Sequence, residues 1–361
     1  MINIKISTSI EKLYDRYEIF LNKPIGNGSY STVYLGRVLD TAVIEKNGLL
    51  SDTVAIKKIK LNNLDSKTFR MINDEVEIMK KINANEKKCP NIIKCYDIIE
   101  EYDYIYLILE YCEDGDLSKI IGKPIKENVV KYYFGQIINA LYYLYDNNII
   151  HRDIKPKNIL LKNSRKDLVI CDFGFARIKT NFKRVNTICG SPLYMAPELL
   201  DEKSYTEIVD IWAIGMILYE LVYGEHPYYE CKDLDDLKNF SKKDITIPPL
   251  NQKITVSDDC IDLMKKMLNK DEHKRISLST LFSHSWIKDT LNIDIKNIAL
   301  KTPILESDLE NQESDSSDED FNSRSRSSSS DESFYGLCEL DNSENFKNIN
   351  KPKYRTATFR K

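Results

Sequence analysis

Three features are missing from this sequence of 361 residues, and each absence excludes a class of protein. Its eight cysteines include no Cys-x-x-Cys pair, which argues against a zinc site. No apolar run approaches the roughly 20 residues that a membrane-spanning helix needs, and no secretory leader opens the chain. Several cysteines lie inside apolar runs, as buried free thiols do, so we expect an intracellular, reducing compartment, the cytoplasm or else the nucleus.

An excess of charge of one sign is also missing over most of the chain. The net charge of −4 indicates no particular partner, and we expect no nucleic acid. Residues 306–344 carry 2 basic and 13 acidic side chains, whereas residues 345–361 carry 6 basic and no acidic ones. Because 306–333 is rich in Ser, Asp and Glu, we expect residues 288–361 to form a largely disordered tail, acidic and then basic.

The hydrophobic pattern divides the rest of the chain into a strand-rich part and a helical part, after a short leader at 1–16. Alternation predicts five strands: Tyr17–Pro24, Ser31–Leu39, Thr53–Lys60, Ile92–Glu100 and Tyr104–Tyr111. The run 208–223 is apolar nearly all round, which predicts a buried helix. We predict an α+β fold with a small antiparallel β-sheet lobe and one main helix at 17–110, followed by a larger, mainly helical lobe at 113–287.

A polar insertion interrupts the strand-rich part between its second and third strands. It runs from Asp40 to Asp52 and contains the pair Asn47-Gly48. Since Asn-Gly is a preferred pair for a tight hairpin turn, we expect an extended hairpin there.

The most informative segment is a polar loop in the middle of the chain. It carries Arg152, Asp153, Lys155 and Asn158, and fourteen residues later Asp172 opens the triplet Asp-Phe-Gly. Phosphoryl transfer needs a carboxylate that orients a hydroxyl, a cation for the moving phosphate and oxygen ligands for magnesium. The loop offers all of these, so we predict that the protein phosphorylates a hydroxyl group.

The order and spacing of these residues match the signature His-Arg-Asp…Asn…Asp-Phe-Gly. Over residues 17–287 the chain therefore resembles the eukaryotic-type serine/threonine protein kinases. The resemblance implies a bilobal protein-kinase fold, ATP and Mg²⁺ as cofactors, and serine or threonine hydroxyls of proteins as substrates. The preference over tyrosine comes from Lys155-Pro156 and from the run 190–198.

The same resemblance gives a role to each polar residue of the loop. Asp153 accepts or positions the proton of the substrate hydroxyl, and Lys155 contacts the moving γ-phosphate. Asn158 and Asp172 hold magnesium, which prefers hard oxygen ligands.

A glycine turn between the first two predicted strands is assigned to the ATP phosphates, which a glycine backbone can approach closely. Its residues are Ile25, Gly26, Asn27, Gly28, Ser29, Tyr30, Ser31, Thr32 and Val33, with Ser31 where the family has a third glycine. Taken alone, a Gly-x-Gly turn is more often an ordinary hairpin, and the other motifs favour the phosphate-binding interpretation. A strand rather than a helix follows it, which argues against a dinucleotide-binding fingerprint.

Alternation along the third strand separates two adjacent lysines. Lys57 shares a face with Ala55, where a flat base can stack and the ammonium can reach phosphate. An ordinary solvated lysine is the alternative. Glu75 lies on the apolar face of the next helix by its three- and four-residue spacing, so we choose it as the partner of Lys57.

The other nucleotide contacts rest on the resemblance alone. It places the adenine against backbone groups of Glu110 and Cys112, with Leu109 at the gatekeeper position, and Leu160 is also assigned to ATP binding. Two roles stay open for Asp116, which either reaches the ribose or a basic substrate residue, or caps the next helix.

Residues 172–198 correspond to the activation segment of the family. A phosphate on Thr187, or as second choice on Thr180, would order this segment by pairing with Arg152. Further cations for this pairing are Lys179 and Arg184. The alternative is that both threonines are ordinary loop hydroxyls. By the same resemblance, a buried Glu198–Arg275 pair and Asp210 brace the large lobe.

Within the family, the runs 187–198 and 109–112 and Ser31 are most similar to the autophagy-initiating kinases. One rival interpretation is a pseudokinase that acts as a nucleotide-binding scaffold, and another is a lipid or small-molecule kinase. The complete set of site residues favours the active protein kinase. Two hypotheses stay open for the tail, which is either a solvated segment or a charged tether that binds a regulator or substrate.

Overall fold

A computed structural model describes residues 9–28, 30–49, 51–179, 190–249 and 256–292. It shows two lobes, the first built on a six-stranded antiparallel sheet in the order β1-β2-β3-β4-β6-β5. The strands are β1 Ile10–Leu13, β2 Tyr17–Asn27, β3 Ser31–Val38, β4 Thr53–Lys60, β5 Cys95–Glu101 and β6 Tyr104–Glu110. The five predicted strands are all present, and β1 adds an edge strand within the segment expected to be a leader.

The large lobe is mainly helical and contributes short strand pairs next to the site. Its helices are α3 Glu127–Asp146, α4 Pro197–Leu200, α5 Ile208–Tyr223, α6 Leu234–Ser241, α7 Asp258–Met267, α8 Leu278–Ser283 and α9 Ser285–Asn292. Its strands are β7 Gly115–Asp116, β8 Ile149–Ile150, β9 Ile159–Lys162, β10 Asp167–Ile170 and β11 Arg177–Ile178. Every residue of α5 from Val209 to Tyr223 is buried, so the predicted buried helix is confirmed.

The hairpin expected at residues 40–52 is wrong, because the insertion folds as helix α1, Thr41–Asn47. Asp40 caps this helix by accepting from the Ala42 amide at 3.0 Å, and Gly48 ends it in the left-handed conformation with φ of 59°. Val43 is buried against the sheet. The Asn-Gly pair is therefore a helix end and not a hairpin turn.

The two faces of the small-lobe sheet are covered by different elements. Helix α2, Ser66–Ala84, is capped by Asp65, whose side chain accepts from two backbone amides of the first turn. Its apolar face packs with Ile59, Ile105 and Leu107 on the inner face of the sheet. On the outer face, Leu13 of β1 and Val43 of α1 join a second apolar cluster. Strand β4 thus lies between two small cores.

Within the described ranges, the structure contains no helix with the length and apolar character needed to cross a bilayer. The tail prediction falls almost wholly outside these ranges, because they end at Asn292 in α9.

Candidate active site

Lys57 lies at the centre of the cleft face of β4 between two carboxylates. Its Nζ is 2.6 Å from Glu75 Oε1 and 3.1 Å from Asp172 Oδ1. Burial alone would lower the pKa of Lys57, but Asp172 and Glu75 outweigh it and raise that pKa above its ordinary value. The choice of Glu75 as the partner of Lys57 is therefore confirmed.

The two carboxylates of this group differ in their electrostatic environment. Burial raises the pKa of Glu75, although Lys57 opposes the rise. For Asp172, burial would raise the pKa, but the Lys57 charge and hydrogen bond reverse the effect and lower it. Asp172 is thus held ionised, as a ligand for a divalent cation must be.

Asp153 lies across the cleft in a network of donors from the polar loop. Its Oδ2 accepts from Asn158 Nδ2 at 2.9 Å and lies 3.0 Å from Lys155 Nζ. Its Oδ1 accepts from the Ser191 amide at 2.7 Å, and Lys155 also donates to Ser191 Oγ at 2.6 Å. The carboxylate is therefore fixed in orientation, with a cation beside it.

Ser191 is a site residue that the sequence reasoning named only within a longer run. The neighbouring Gly190 has φ of 105°, and a Cβ on it would lie 2.5 Å from the Arg152 carbonyl oxygen. Glycine is required here because both the backbone conformation and the close approach exclude a side chain. The sequence signal for Ser191 was the pair Gly-Ser. The glycine allows the close approach, and this approach brings the Ser191 hydroxyl against the polar loop.

The backbone of the polar loop is held by a buried carboxylate from α5. Asp210 accepts from the amides of His151 and Arg152, each at 2.8 Å. Arg152 has φ of 67° and Asp172 has φ of 62°, which are costly conformations for these residue types. Asp210 thus braces the loop as predicted. Its two hydrogen bonds stabilise a strained backbone segment next to the catalytic groups.

The donor set fits magnesium bound together with phosphate. Asn158 gives its Nδ2 to Asp153, at the backbone oxygen (2.8 Å) and the carboxylate (2.9 Å), so its Oδ1 is the atom suited to bind a cation. Asp172 uses Oδ1 for Lys57 and has a second oxygen. The described ranges hold no cluster of three or more His, Cys, Asp or Glu that would bind a metal alone. Magnesium usually takes one or two protein ligands and completes its shell with phosphate and water.

The glycine turn and Ala55 lie where the sequence placed them relative to Lys57, whereas Leu160 lies on β9 of the large lobe. Strands β2 and β3 form the turn, which the Gly28 amide closes by donating to the Ser31 carbonyl at 2.7 Å. Ala55 pairs with Leu109 across β4 and β6, so both lie on the cleft face with Lys57. Ser29 lies outside the described residues.

The connection between the lobes carries the two residues assigned to adenine. Glu110 ends β6, and its amide donates to the Lys94 carbonyl at 2.9 Å. Cys112 follows at the start of the connection, and burial raises the pKa of its thiol to about 12. Asp116 accepts from the Ser118 amide at 2.9 Å, so the capping alternative is the one that the structure shows.

The protein kinase domain family profile matches residues 20–287. The chain belongs to the protein kinase family. It is 38% identical over 281 residues to serine/threonine-protein kinase atg1 of Dictyostelium discoideum, a match covering 75% of this chain and 39% of that protein. It is 37% identical to ATG1b of Arabidopsis thaliana, covering 76% and 37%, and 36% identical to ULK3 of Xenopus laevis, covering 75% and 55%.

These relatives confirm the resemblance stated from the motifs, to serine/threonine kinases and among them to the autophagy-initiating group. The match spans about two fifths of the first two relatives' length. Family membership implies ATP and protein as substrates, with magnesium as the usual cation.

The kinase activation segment is only partly described. Arg152 donates from Nε to the Phe175 carbonyl at 2.6 Å and from Nη1 to the Tyr205 hydroxyl at 2.7 Å. Lys179 forms an ion pair with Glu207 at 2.8 Å. The threonines predicted to carry a phosphate, Thr187 and Thr180, lie outside the described residues together with Arg184. Their role stays a prediction.

The predicted brace of the large lobe is present. Arg275 donates to both oxygens of Glu198, at 2.6 and 2.8 Å, and both side chains are buried. Such a planar two-point contact fixes geometry as well as charge. It ties the end of the activation segment, at the start of α4, to the loop before α8.

Proposed function

We propose that this protein is an active, magnesium- and ATP-dependent kinase that phosphorylates serine or threonine hydroxyls of other proteins. The observation that carries the proposal is the convergence of two networks on one cleft. Lys57, Glu75 and Asp172 form the first, and Asp153 with Asn158 forms the second. All five residues that the chemistry needs are present and oriented, which gives no support to the pseudokinase alternative.

In this mechanism the chain's own residues bind, orient and accept a proton. Lys57 holds the nucleotide phosphates, and Glu75 fixes the Lys57 ammonium in place. Asp153 orients the substrate hydroxyl and takes its proton, while Lys155 stabilises the charge on the transferred phosphate. When bound through Asn158 and Asp172, magnesium supplies positive charge that neutralises the phosphate oxygens.

The nucleotide itself is proposed to lie under the glycine turn, residues 25–33, with its base against Ala55 and Leu160. Support comes from the position of Ala55 on the cleft face that carries Lys57, and from Leu160, which packs against the same apolar cluster as Leu109 and Cys112. Backbone groups of Glu110 and Cys112 then bind the adenine. Polar backbone groups in a cleft need such hydrogen-bond partners.

Three further proposals concern regulation and context. A phosphate on Thr187 pairs with Arg152, whose guanidinium lies against Phe175 of the activation segment. The charged tail binds a regulator or a substrate. The protein works in the cytoplasm or the nucleus, which suits a chain whose described cysteines are all free.

The function is tested by substituting the proposed base. Asp153→Asn keeps the shape of the side chain and removes its charge, so transfer of labelled phosphate from ATP to a generic basic protein should fall roughly 10²–10⁴-fold with magnesium present. Asp235→Asn, an exposed change on α6, is the matched control and should transfer at the wild-type rate. Equal incorporation by the Asp153 variant and the control would reject the proposed base.

A further inference from the structure

A run of acidic residues between the lobes is bound by one turn of the large lobe. We define the hinge as residues 110–116 and the clasp turn as residues 162–166, which joins β9 to β10. The Asn163 amide donates to Glu113 Oε1 at 2.9 Å. The Arg165 amide donates to Asp114 Oδ2 at 2.8 Å, and the Asp114 amide donates back to the Leu161 carbonyl at 3.2 Å.

The backbone of the clasp turn has an uncommon conformation. Asn163, Ser164 and Arg165 are consecutive and have φ values of 55°, 57° and 61°. Each left-handed residue that is not glycine costs free energy, so the contacts around the turn must hold it in this form. The hinge carboxylates accept from two of its amides and therefore stabilise it, and the turn in exchange fixes the hinge.

A largely buried ion pair completes this attachment. Lys162 Nζ lies 2.6 Å from Glu110 Oε1, and each side chain is only 12% exposed. Glu110 Oε2 is buried and has no hydrogen-bond partner among the described residues. Removing one member of a buried ion pair is far more costly than the pair is stabilising, because it leaves an uncompensated charge. The position of the Glu110 carboxylate therefore depends on Lys162.

The ion pair lies behind the strand that faces the nucleotide. Leu109 pairs with Ala55 and shares the cleft face with Lys57, and side chains alternate along a strand, so Glu110 extends from the opposite face. Lys162 contacts neither the cleft face nor the catalytic loop in any described hydrogen bond or ion pair. The contact that links Lys162 to the nucleotide site is therefore its ion pair with Glu110, a residue of the hinge backbone.

We propose that Lys162 is a positioning residue for ATP, which acts through Glu110 by fixing the hinge backbone where the adenine binds. This inference rests on the proposed kinase function and refines its nucleotide site. The proposal predicts that ATP binding and phosphate transfer respond differently to the loss of Lys162, because the catalytic groups Asp153 and Lys155 have their own hydrogen-bond network. Loss of Lys162 weakens ATP binding and leaves the transfer step nearly unchanged.

The test measures ATP binding and transfer in three variants of the full chain. Lys162→Met should raise both KM and Kd for ATP about tenfold, equal to ~1.4 kcal/mol, with kcat within about threefold of wild type. Lys162→Arg keeps the charge and should restore most of the affinity. Lys166→Met, an exposed lysine of the same turn, is the matched control and should change neither constant.

A double variant separates positioning from folding. Because Lys162→Met leaves a buried carboxylate unpaired, that chain can lose stability or fail to fold. The double variant Lys162→Met with Glu110→Gln removes the stranded charge and should recover the thermal midpoint while the Kd for ATP stays raised. Recovery of the wild-type Kd together with stability would overturn the proposal, as would a single variant that binds ATP like the Lys166 control.

The readouts also distinguish this proposal from the proposed function. If the wild type binds ATP but transfers no phosphate, the kinase function fails, and the Kd comparison still decides the role of Lys162. If the wild type binds no ATP, both proposals are rejected.

Discussion

Lys57 and Lys58 are adjacent on β4 and extend from opposite faces of the same sheet. Both are largely buried, at 13% and 18% exposure, and both form short ion pairs. Lys58 binds Glu11 of β1 at 2.6 Å, with its ammonium 4.5 Å from the centre of the Tyr104 ring. Burial and pairing alone therefore do not distinguish a structural lysine from a catalytic one.

The partners make the difference between the two lysines. Lys58 and Glu11 both belong to the small-lobe sheet, and their charges cancel. Lys57 is bound by one carboxylate from α2 and by Asp172 from the other lobe, which leaves a net negative charge at the cleft. A cation that bridges phosphates would balance that charge. The functional face of β4 is therefore the one with excess negative charge, where the lysine contacts carboxylates from both lobes.

The largest expected effect comes from removing the charge of each lysine in turn. Lys57→Met should reduce phosphate transfer at least about 10²-fold, because it removes a fixed charge aimed at the phosphates. Lys58→Met should keep transfer within about twofold of wild type and lower the free energy of unfolding by about 1–3 kcal/mol, because Glu11 loses its partner at a largely buried position. Parallel measurements of kcat/KM and of urea denaturation check both. Equal losses of activity in the two variants would refute the assignment of the functional face.

The carboxylate partners give a smaller effect in the same direction. Glu75→Gln keeps a hydrogen-bond acceptor near Lys57 but loosens it, and a misplacement of about 1 Å can cost roughly 10²-fold in rate. We expect a 10- to 100-fold loss of kcat/KM. Glu11→Gln is the matched change on the outer face and should leave kcat/KM within about twofold. A loss in the Glu11 variant comparable to that of Glu75 would show that the outer face also positions Lys57.

Glu220 of α5 sharpens the comparison, because it is a buried carboxylate whose described partner is a hydroxyl and not a lysine. Tyr194 donates to it at 2.9 and 3.0 Å. Burial raises the pKa of Glu220 to about 8. Burial likewise lowers the pKa of the neighbouring His226 to about 3, so this ring is neutral near pH 7 and brings no charge.

The sign of the resulting pH dependence follows from the raised pKa. Between the ordinary carboxyl pKa of 4.5 and about 8, the unfolded chain has lost a proton that the folded chain keeps at Glu220. The contribution of Glu220 to the free energy of unfolding is therefore fully present below pH 4.5 and is lost as the pH rises toward 8. Glu220→Gln should have the higher thermal midpoint at pH 8, with the advantage shrinking toward pH 5. A constant difference across this range would contradict a raised pKa.

Sequence periodicity was sufficient for residues whose role depends on a local repeat. The helical period alone selected Glu75, and strand alternation alone separated Lys57 from Lys58. The catalytic loop was recognised because its polar residues are close in sequence. Contacts between distant segments gave no such signal. The pair of Glu110 with Lys162 joins residues 52 positions apart, and no pattern in either segment indicates it.

The insertion shows how one local signal can fit two structures. Asn47-Gly48 suits a hairpin turn, but the same glycine preference for positive φ suits the end of a helix. What decided between them was Asp40, which caps α1, and Val43, which packs against the outer core. The cap is local, whereas the packing of Val43 depends on a tertiary surface formed by strands that lie before and after the insertion.

The smallest predicted effect tests this reassignment. Gly48 has φ of 59°, and a Cβ there would meet nothing within 4 Å, so any cost of a side chain is a backbone cost. Gly48→Ala should lower the free energy of unfolding by about 1 kcal/mol, and Gly48→Asn, which tolerates this conformation better, by less. Denaturant unfolding measures both losses, while KM for ATP stays at the wild-type value because α1 covers only the outer face. Unchanged stability in the alanine variant would mean that residue 48 does not end a helix.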